Sequence, residues 1–422
     1  MRLKRYIFQG FNNILKCLGN KKGKTMLKQT ILFLLLIQIS HSSTYMLNDI
    51  LKSAAQNNTL SKALQQESLA LEAKNRADTA PAPLELFGEG TRANPIVGAS
   101  GNEYAIGVTQ NFILGSIQDE EQKITRLSNQ AYLLEQEKNI LNFNNGLKNI
   151  YHQHCLDAQN YRSFNKSYQA FKKLFEKKQK AYKYQEISKI ELMQLEIEKN
   201  TLLSKLQEIK MHKETSKQNL FMLSKIAYTK STNLSCKDLY PIRSRINFDQ
   251  TFELSKEAHD KRVQSTHTSL ERYTSKIDSI AVSAQYTEEL DMDKYSVGVS
   301  IPLNFTSSKN EEERAAAMYN NSAMSLKHEQ LMTEKQSMFT QLQSHLESNV
   351  LTLQTLKSNY RYHQQELLPL IKKSYDQGET SVIEYLLNRQ KSYQLRQEIY
   401  ATKKAYYTLL FKLYTLSEKK DN

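Results

Sequence analysis

The stretch KYSVGVSIPLNF, residues 294–305, alternates between apolar residues and small or polar residues. The apolar residues stand at every second position: Tyr295, Val297, Val299, Ile301, Leu303 and Phe305. Strict alternation of this kind predicts a β-strand with one apolar face and one polar face. The strand is unusual in this chain because most of the remaining sequence is typical of long, charged helices.

The composition limits the class of protein. The chain of 422 residues has only 12 Gly, 6 Pro and no Trp, whereas strong helix formers such as Lys, Glu, Gln and Leu are abundant. Few helix breakers and many helix formers predict long helices. A mean hydropathy of −0.62 argues against an α-helical membrane protein. It is also low for a compact globular chain of this length, so we expect slender helical hairpins that bury less surface.

Residues 1–42 have the features of a secretion signal that is removed from the mature protein, with residues 1–25 as an extension ahead of it. A basic start at Met26 leads into the apolar run Thr30–Ile39, which is too short to cross a bilayer. The alternative is a short membrane anchor. The eight Lys and Arg residues of this segment account for more than half of the net charge of +14. The net charge of residues 43–422 is therefore only weak evidence for nucleic-acid binding.

The sequence repeats itself with a period of about 190 residues. YAIGVTQNF at 104–112 aligns with YSVGVSIPL at 295–303, an offset of 191, and YQEISKIELMQ at 184–194 aligns with QGETSVIEYLL at 377–387, an offset of 193. Two matches at nearly the same offset predict an internal duplication. The predicted parts are a first repeat at 43–228, an inter-repeat segment at 229–246, a second repeat at 247–418 and a tail at 419–422.

Each repeat contains two predicted strands followed by a long predicted helix and a shorter returning helix. The strands are expected at about 82–89, 103–112, 279–287 and 295–305. Their length of about 9–10 residues is typical of tilted strands that cross a bilayer. Four strands are too few to close a barrel, but three copies of the chain would supply twelve.

Taken together, these features resemble the TolC-type outer-membrane efflux channels over essentially all of residues 44–418. The most specific part is LLPLIKKSYDQGETSVIEYLLNRQ at 367–390, followed by GVSIPL at 298–303. The resemblance implies a mainly α-helical fold with a membrane β-barrel part. A homotrimer would build a twelve-stranded barrel in the outer membrane and a coiled-coil α-helical tunnel in the periplasm. A periplasmic adaptor protein and an inner-membrane pump would dock at the tunnel tip. The chain length and the tip motif are similar to the heavy-metal efflux branch of the family.

The resemblance also implies roles for particular residues. The apolar face of the fourth strand would contact outer-membrane lipid, through Tyr295, Val297, Val299, Ile301 and Leu303, while the small polar face would line the pore. The tight turns between the long helices would form the tip. The adaptor-docking candidates there are Gly378, Glu379, Thr380 and Ser381 in the second repeat and Gln185, Glu186 and Ser188 in the first. The candidates for the gate are Glu384, Tyr375 and Glu191.

Simple physical reasons support the tip motif, and other readings stay open. Gly378 permits the backbone conformation that ends a long helix, and Thr380 or Ser381 can cap the next one. Glu384 and Glu191 could equally be solvated acids, which are favoured near the start of any helix. Tyr375 could simply pack in a coiled-coil seam. The chain also departs from the family, because Gln185 stands at the position of Gly378 and Leu387 at a second acidic position of the constriction.

The sequence contains no recognisable catalytic or cofactor motif, so we predict a non-enzymatic, passive conduit for small molecules or metal ions. A type I protein-secretion conduit of the same architecture and a periplasmic coiled-coil structural protein are the alternatives. The cluster YHQHC at 151–155 contains metal-binding residue types, but His152 and His154 would point to nearly opposite sides of a helix. No metal site is predicted there. The Lys-rich run at 171–183 is expected to be a solvated face rather than a nucleic-acid site.

Overall fold

The computed structural model describes residues 44–57, 59–229, 232–243, 246, 248, 251–303 and 307–418. The predicted secretion signal and Phe305 of the opening stretch lie outside the described residues. None of the helices in the described ranges is long and apolar enough to cross a membrane.

The first repeat consists of short N-terminal elements, a β-hairpin and two long helices. Its elements are β1 (Thr44–Tyr45), α1 (Leu47–Asn57), α2 (Thr59–Asp78), β2 (Glu85–Ala93), β3 (Gly101–Ile113), α3 (Gly115–Lys183) and α4 (Lys189–Leu223). Helix α3 has 69 residues and is therefore about 100 Å long.

The segment between the repeats contains β4 (Asn233–Leu234), and the second repeat repeats the hairpin and the long helices. Its elements are α5 (Glu253–Arg272), β5 (Ser279–Glu288), β6 (Asp293–Ser300), α6 (Lys309–Tyr362), a π turn (His363–Leu367), α7 (Leu368–Asp376) and α8 (Val382–Ser417). The short strand β4 pairs in parallel with β1, which joins the segment between the repeats to the start of the first repeat.

The π turn interrupts the long helix that the sequence predicts for the second repeat, because the stretch from Ser308 to Asp376 contains no glycine. Pro369 stands in the first turn of α7, directly after the π turn. Proline has no N–H to donate to the carbonyl four residues earlier, and its ring crowds that carbonyl. A π turn holds one more residue than an α turn. The π turn therefore adds one residue to the second repeat. This residue accounts for part of the increase in the offset between the two repeats, from 191 at the strands to 193 at the tip.

The two predicted hairpins join into one antiparallel sheet of order β2-β3-β5-β6. The central pairing is between β3 of the first repeat and β5 of the second, from Tyr104 opposite Glu288 to Ile113 opposite Ser279. The observed strands differ from the prediction at their ends. Strand β2 starts later than predicted, at Glu85 beyond the two prolines, and β6 ends at Ser300. Ile301 and Leu303 therefore follow the strand rather than belong to it, because Pro302 cannot donate to a strand ladder.

A disulfide bond joins Cys155 of α3 to Cys236 in the segment between the repeats, with the Cα atoms 5.5 Å apart. Cys155 belongs to an apolar cluster formed by α1, α3 and the end of α4: Leu47, Ile50, Ala54, Leu147, Tyr151, Cys155 and Leu220. The sequence alone left the roles of both cysteines open. In the structure they fix the inter-repeat segment to the middle of α3.

The neighbouring His152 is a structural residue. It is fully buried, its Nδ1 lies 2.7 Å from the Lys148 carbonyl oxygen, and its Nε2 accepts the N–H of Tyr240 at 3.0 Å. Burial lowers the pKa of His152 to about 4, so the ring is neutral near pH 7. Both ring nitrogens are occupied by backbone groups, so this side chain is not free to bind a metal ion.

Candidate channel wall and tip

One face of the sheet is largely apolar and is built from alternate residues of all four strands. In the ladder, Leu86 lies opposite Val108, Val108 opposite Ala284, and Ala284 opposite Val297. Because side chains alternate along a strand, this row of residues shares its face with the rows that lie two residues before and two residues after it. The apolar face is exposed, with Tyr295, Val297 and Val299 at 83%, 79% and 65% of their full accessible areas. None of the residues that the structure describes covers these three side chains.

The opposite face carries small and polar residues. Ser283 lies opposite Gly298, and Gln285 lies opposite Ser296. Phe87 is a large apolar residue on this face, and it is accommodated because the neighbouring strand has Gly107. A side chain at Gly107 would collide with the Phe87 ring. The sheet therefore separates an apolar surface from a polar one, as the alternation predicts.

Strands β2 and β6 are the edges of this sheet, and each pairs on one side only. Edge strands with free N–H and C=O groups are templates for pairing with another chain. Because β2 and β6 do not pair with each other, the four strands form an open sheet.

The opposite end of the molecule contains the two tight turns that the sequence predicts as the tip. Gln185 has φ +62° and Gly378 has φ +79°, so both adopt the left-handed conformation at equivalent positions of the two repeats. The helices that follow are capped identically: Ser188 Oγ accepts the N–H of Glu191 at 3.1 Å, and Ser381 Oγ accepts the N–H of Glu384 at 3.2 Å. The first turn thus has the same backbone geometry without a glycine.

A hydrogen-bonded cluster connects the two repeats just above these turns. The Tyr375 hydroxyl donates to Glu191 Oε1 at 2.5 Å, and Lys178 Nζ lies 3.4 Å from the same oxygen. The ammonium also lies 4.2 Å from the centre of the Tyr375 ring. Burial raises the pKa of Tyr375, and the bond to Glu191 raises it further, so the hydroxyl stays protonated as a donor. We call Lys178, Glu191 and Tyr375 the tip latch.

Aromatic rings and an arginine extend the tip latch into the helices. Tyr375 stacks on Tyr385 with ring centres 4.7 Å apart. Arg389 donates to the hydroxyls of Tyr385 at 2.8 Å and Tyr393 at 2.6 Å, and it lies 5.0 Å from the Phe171 ring. Sequence reasoning did not identify Lys178, Tyr385 or Arg389 as site residues. The spacing of four residues from Tyr385 to Arg389 to Tyr393 was the available signal for that part of the cluster.

The structure therefore brings together two of the three gate candidates, Glu191 and Tyr375, within one chain. The Glu384 side chain is exposed in the first turn of α8 and is not part of the tip latch. Of the docking candidates, Thr380 and Glu379 bond to Ser374, at 2.6 Å and 3.2 Å, and so stabilise the second turn. Gln185 and Glu186 are exposed in the first turn.

The contacts between the two helical hairpins are rich in polar groups. Asn160 of α3 and Gln397 of α8 exchange two hydrogen bonds, at 3.0 Å and 3.1 Å. Arg396 of α8 donates to Ser167 of α3 at 2.8 Å, and Gln390 of α8 donates to Glu198 of α4 at 2.8 Å. Such bonds can be exchanged for bonds to water at a net cost of about 1 kcal/mol for neutral groups and about 1.5–3 kcal/mol for charged ones. An apolar cluster also spans the two hairpins and includes Phe171 and Tyr385, so separation of the hairpins would expose apolar side chains as well.

Solved structures of bacterial channels resemble the chain over most of its length. CusC, whose crystal structures were described in relation to folding and transmembrane channel formation, has a TM-score of 0.72 at 14% identity over 88% of this chain and 91% of its own. The Campylobacter jejuni outer membrane channel CmeC has a TM-score of 0.70 at 14% identity, over 88% and 85%. The open state of the Neisseria gonorrhoeae outer membrane channel MtrE has a TM-score of 0.68 at 14% identity, over 88% of each chain.

No protein-family model matches the chain, and no curated protein matches it by sequence. The structural likeness confirms the predicted fold class, in which a duplicated unit of hairpin and long helix carries a strand part at one end. Trimer formation and closure of a barrel remain predictions. The chain has the fold of the TolC-type outer-membrane channels.

Proposed function

We propose that the protein is the outer-membrane channel subunit of a tripartite efflux system, a passive conduit that exports small molecules or metal ions. The observation that carries this proposal is the exposed apolar face that runs across all four strands of the sheet. A surface of this kind needs a nonaqueous environment, and lipid around a barrel supplies one. The long helical hairpins would then form a tunnel through the periplasm. The solved structures that the chain resembles are channels rather than enzymes, and export here needs no catalytic site or cofactor.

The open sheet supports a homotrimer. Strand β6 of one chain would pair with β2 of the next, and three chains would close a barrel of twelve strands without free edges. Closure would put the apolar face toward outer-membrane lipid and the polar face toward the pore.

Two features support an extracytoplasmic location. The first is the predicted secretion signal at 1–42. The second is the disulfide between Cys155 and Cys236, because such bonds persist mainly in oxidising compartments such as the periplasm. In this location the tip would reach toward a periplasmic adaptor protein and an inner-membrane pump, which would supply the energy.

The tip latch is proposed to hold the closed state of the tunnel. It links α7 of the second repeat to α3 and α4 of the first, just above the two turns. Separation of the hairpins would break the bond from Tyr375 to Glu191, while the polar contacts higher up would be exchanged for water. Glu384 is proposed to act separately, as an exposed acid that faces its counterparts from the other subunits.

The decisive experiment combines fractionation with channel recording. We expect the protein in the outer membrane, as an SDS-resistant species of about three times the monomer mass that dissociates on heating. Reconstituted in planar bilayers, it should form channels of low conductance. A protein that is soluble without detergent and entirely helical by circular dichroism would instead be the coiled-coil structural protein. A channel whose gene lies beside an ATP-driven protein exporter would instead be a type I secretion conduit.

Loosening the tip latch is expected to raise the conductance of the isolated channel. Tyr375→Phe keeps the stack on Tyr385 but removes a bond to a charged acceptor that is worth about 1.5–3 kcal/mol. The ratio of closed to open channels should therefore fall about tenfold or more for each latch that is lost. The measurement is the open probability of single channels in bilayers, which should rise. Tyr182→Phe, the same change at the equivalent residue of the first repeat, is the control and should have no effect. An unchanged open probability for Tyr375→Phe would exclude the latch from the gate.

A further inference from the structure

One face of α3 carries a row of cations along its lower third. Arg162, Lys166, Lys173, Lys177 and Lys180 are all exposed. At about 100° per residue they fall within an arc of about 60°, and they extend over about 27 Å of helix. We call these five residues the basic stripe. The buried side chains Phe164, Phe171 and Phe175 lie on the opposite side of the helix.

The charges of the basic stripe have no oppositely charged partner in the described part of the chain. None of its five residues forms an ion pair with any residue that the structure describes, whereas the neighbouring Lys172 pairs with Glu176 and Lys178 pairs with Glu191. Between 159 and 184 the other side chains in the same arc are glutamine and tyrosine: Gln159 and Tyr184. Five like charges on one face repel each other, so the basic stripe destabilises the folded chain unless an oppositely charged partner binds it.

The duplication shows that the fold does not require these cations. From the π turn to the tip, where the offset of 193 applies, the positions equivalent to Lys173, Lys177 and Lys180 carry Glu366, Leu370 and Lys373. This part of the second repeat is thus built with one cation, one acid and one uncharged residue. The basic stripe is a property of the first repeat alone, which points to a role other than helix formation.

The face that carries the basic stripe is covered higher up on the same helix. Tyr151 and Cys155, which fall on this face, are buried beneath α1 and the segment that contains Cys236. In the proposed tunnel these additional elements would lie on the outside, because the bore must stay open. The basic stripe would then also lie on the outer surface, from the level of the disulfide down to the tip.

The lower end of the basic stripe adds apolar surface. Tyr184, in the first turn, falls in the same arc as the basic stripe and is 78% exposed. An exposed aromatic side chain beside an array of charges is typical of the anchors and rim of a protein interface. Complementary charge would guide the partner to this site and fix its register.

We infer that the basic stripe, together with Tyr184, is a docking surface for an acidic helical segment of a periplasmic partner protein. The inference rests on the proposed function, because only the tunnel arrangement places this face outside. It specifies the chemistry of the partner: glutamate or aspartate repeated every three to four residues over about 27 Å. It also distinguishes the two tips, since the second turn has no comparable row of cations.

The test compares two quadruple variants that remove the same number of charges. The stripe variant is K166Q/K173Q/K177Q/K180Q, and the control is K62Q/K74Q/K210Q/K327Q, which changes exposed lysines on α2, α4 and α6. The probe is a fluorescent helical peptide of about 30 residues with glutamates at matching spacing, titrated into the detergent-solubilised protein at two salt concentrations. We expect the wild type and the control to bind alike, more weakly at high salt, and the stripe variant to bind at least tenfold more weakly.

Bilayer recordings of the same proteins distinguish a docking surface from a charged bore. The reversal potential in a salt gradient should be unchanged in the stripe variant, because its lysines lie outside the conduction path. A shift toward cation selectivity would mean that the stripe lines the bore and would overturn the inference. Equal peptide binding by the stripe variant and the control would also overturn it. If the wild type forms no channel, the proposed function fails instead, independently of the peptide result.

Discussion

Val297→Arg is expected to abolish assembly of the protein in the outer membrane. Val297 lies at the middle of β6, opposite Ala284, on the apolar face of the sheet, and it is 79% exposed within one chain. In the proposed barrel this side chain faces the hydrocarbon near the centre of the bilayer. An arginine there costs about 2–4 kcal/mol. The proposed trimer contains three such residues, so its free energy of insertion would become less favourable by three times this amount.

The measurement is the amount of SDS-resistant trimer in the outer-membrane fraction. Ser296→Arg is a closely matched control, because Ser296 is the adjacent residue of the same strand and points to the opposite face. Its side chain would enter the aqueous pore, so this variant should assemble normally and change only ion selectivity. The opposite pattern, with Ser296→Arg defective and Val297→Arg normal, would show that the two faces have been assigned the wrong way round.

Removal of the disulfide between Cys155 and Cys236 is expected to cause the second large effect. The two cysteines are 81 residues apart in the sequence, so the bond closes a long loop. In the chain-entropy model a loop of this length is worth about 4.5 kcal/mol. The free energy of unfolding should therefore fall by about this amount in Cys155→Ala/Cys236→Ala, measured by chemical denaturation of the detergent-solubilised protein.

A reducing agent provides the internal control for this prediction. It should lower the denaturation midpoint of the wild type to that of the double variant and leave the double variant unchanged. A wild-type midpoint that is insensitive to complete reduction would show that the bond contributes nothing. Channel conductance should survive in the double variant at low temperature, because the disulfide lies far along α3 from the tip latch.

Much of the architecture could be read from local patterns. Alternation over 294–305 determines a two-faced strand, and its repetition at 104–112 reveals the duplication. The turn residues were also accessible to sequence reasoning, because Ser188 and Ser381 stand where a helix must be capped. The similar backbone at Gln185 and Gly378 was less accessible, because a left-handed glutamine is uncommon and only its alignment with the glycine gave a signal.

Other features depend on contacts between residues far apart in the sequence. The union of the two hairpins through β3 and β5 follows from the return of the chain to the same end, and no local pattern specifies it. No local pattern specifies the hydrogen bond between Tyr375 and Glu191 either, because the two residues are 184 positions apart in the sequence. The disulfide between Cys155 and Cys236 is likewise a contact between distant segments. The sequence assigned Glu384 and Glu191 equivalent roles, but the structure places Glu191 in a hydrogen-bonded cluster and leaves Glu384 exposed.

The sequence by itself determined the long helices, the four strands of the sheet, the duplication, and the division of the strands into an apolar and a polar face, because these depend on periodicities of two and 3.6 residues within short segments. The tertiary structure decided which elements meet: the four-stranded sheet, the tip latch, the cysteine pair and the uncovered face of α3. The physical reason is that periodicity specifies which face of an element is buried or exposed but not which partner it meets. The partner is selected only when the folded chain brings distant segments together.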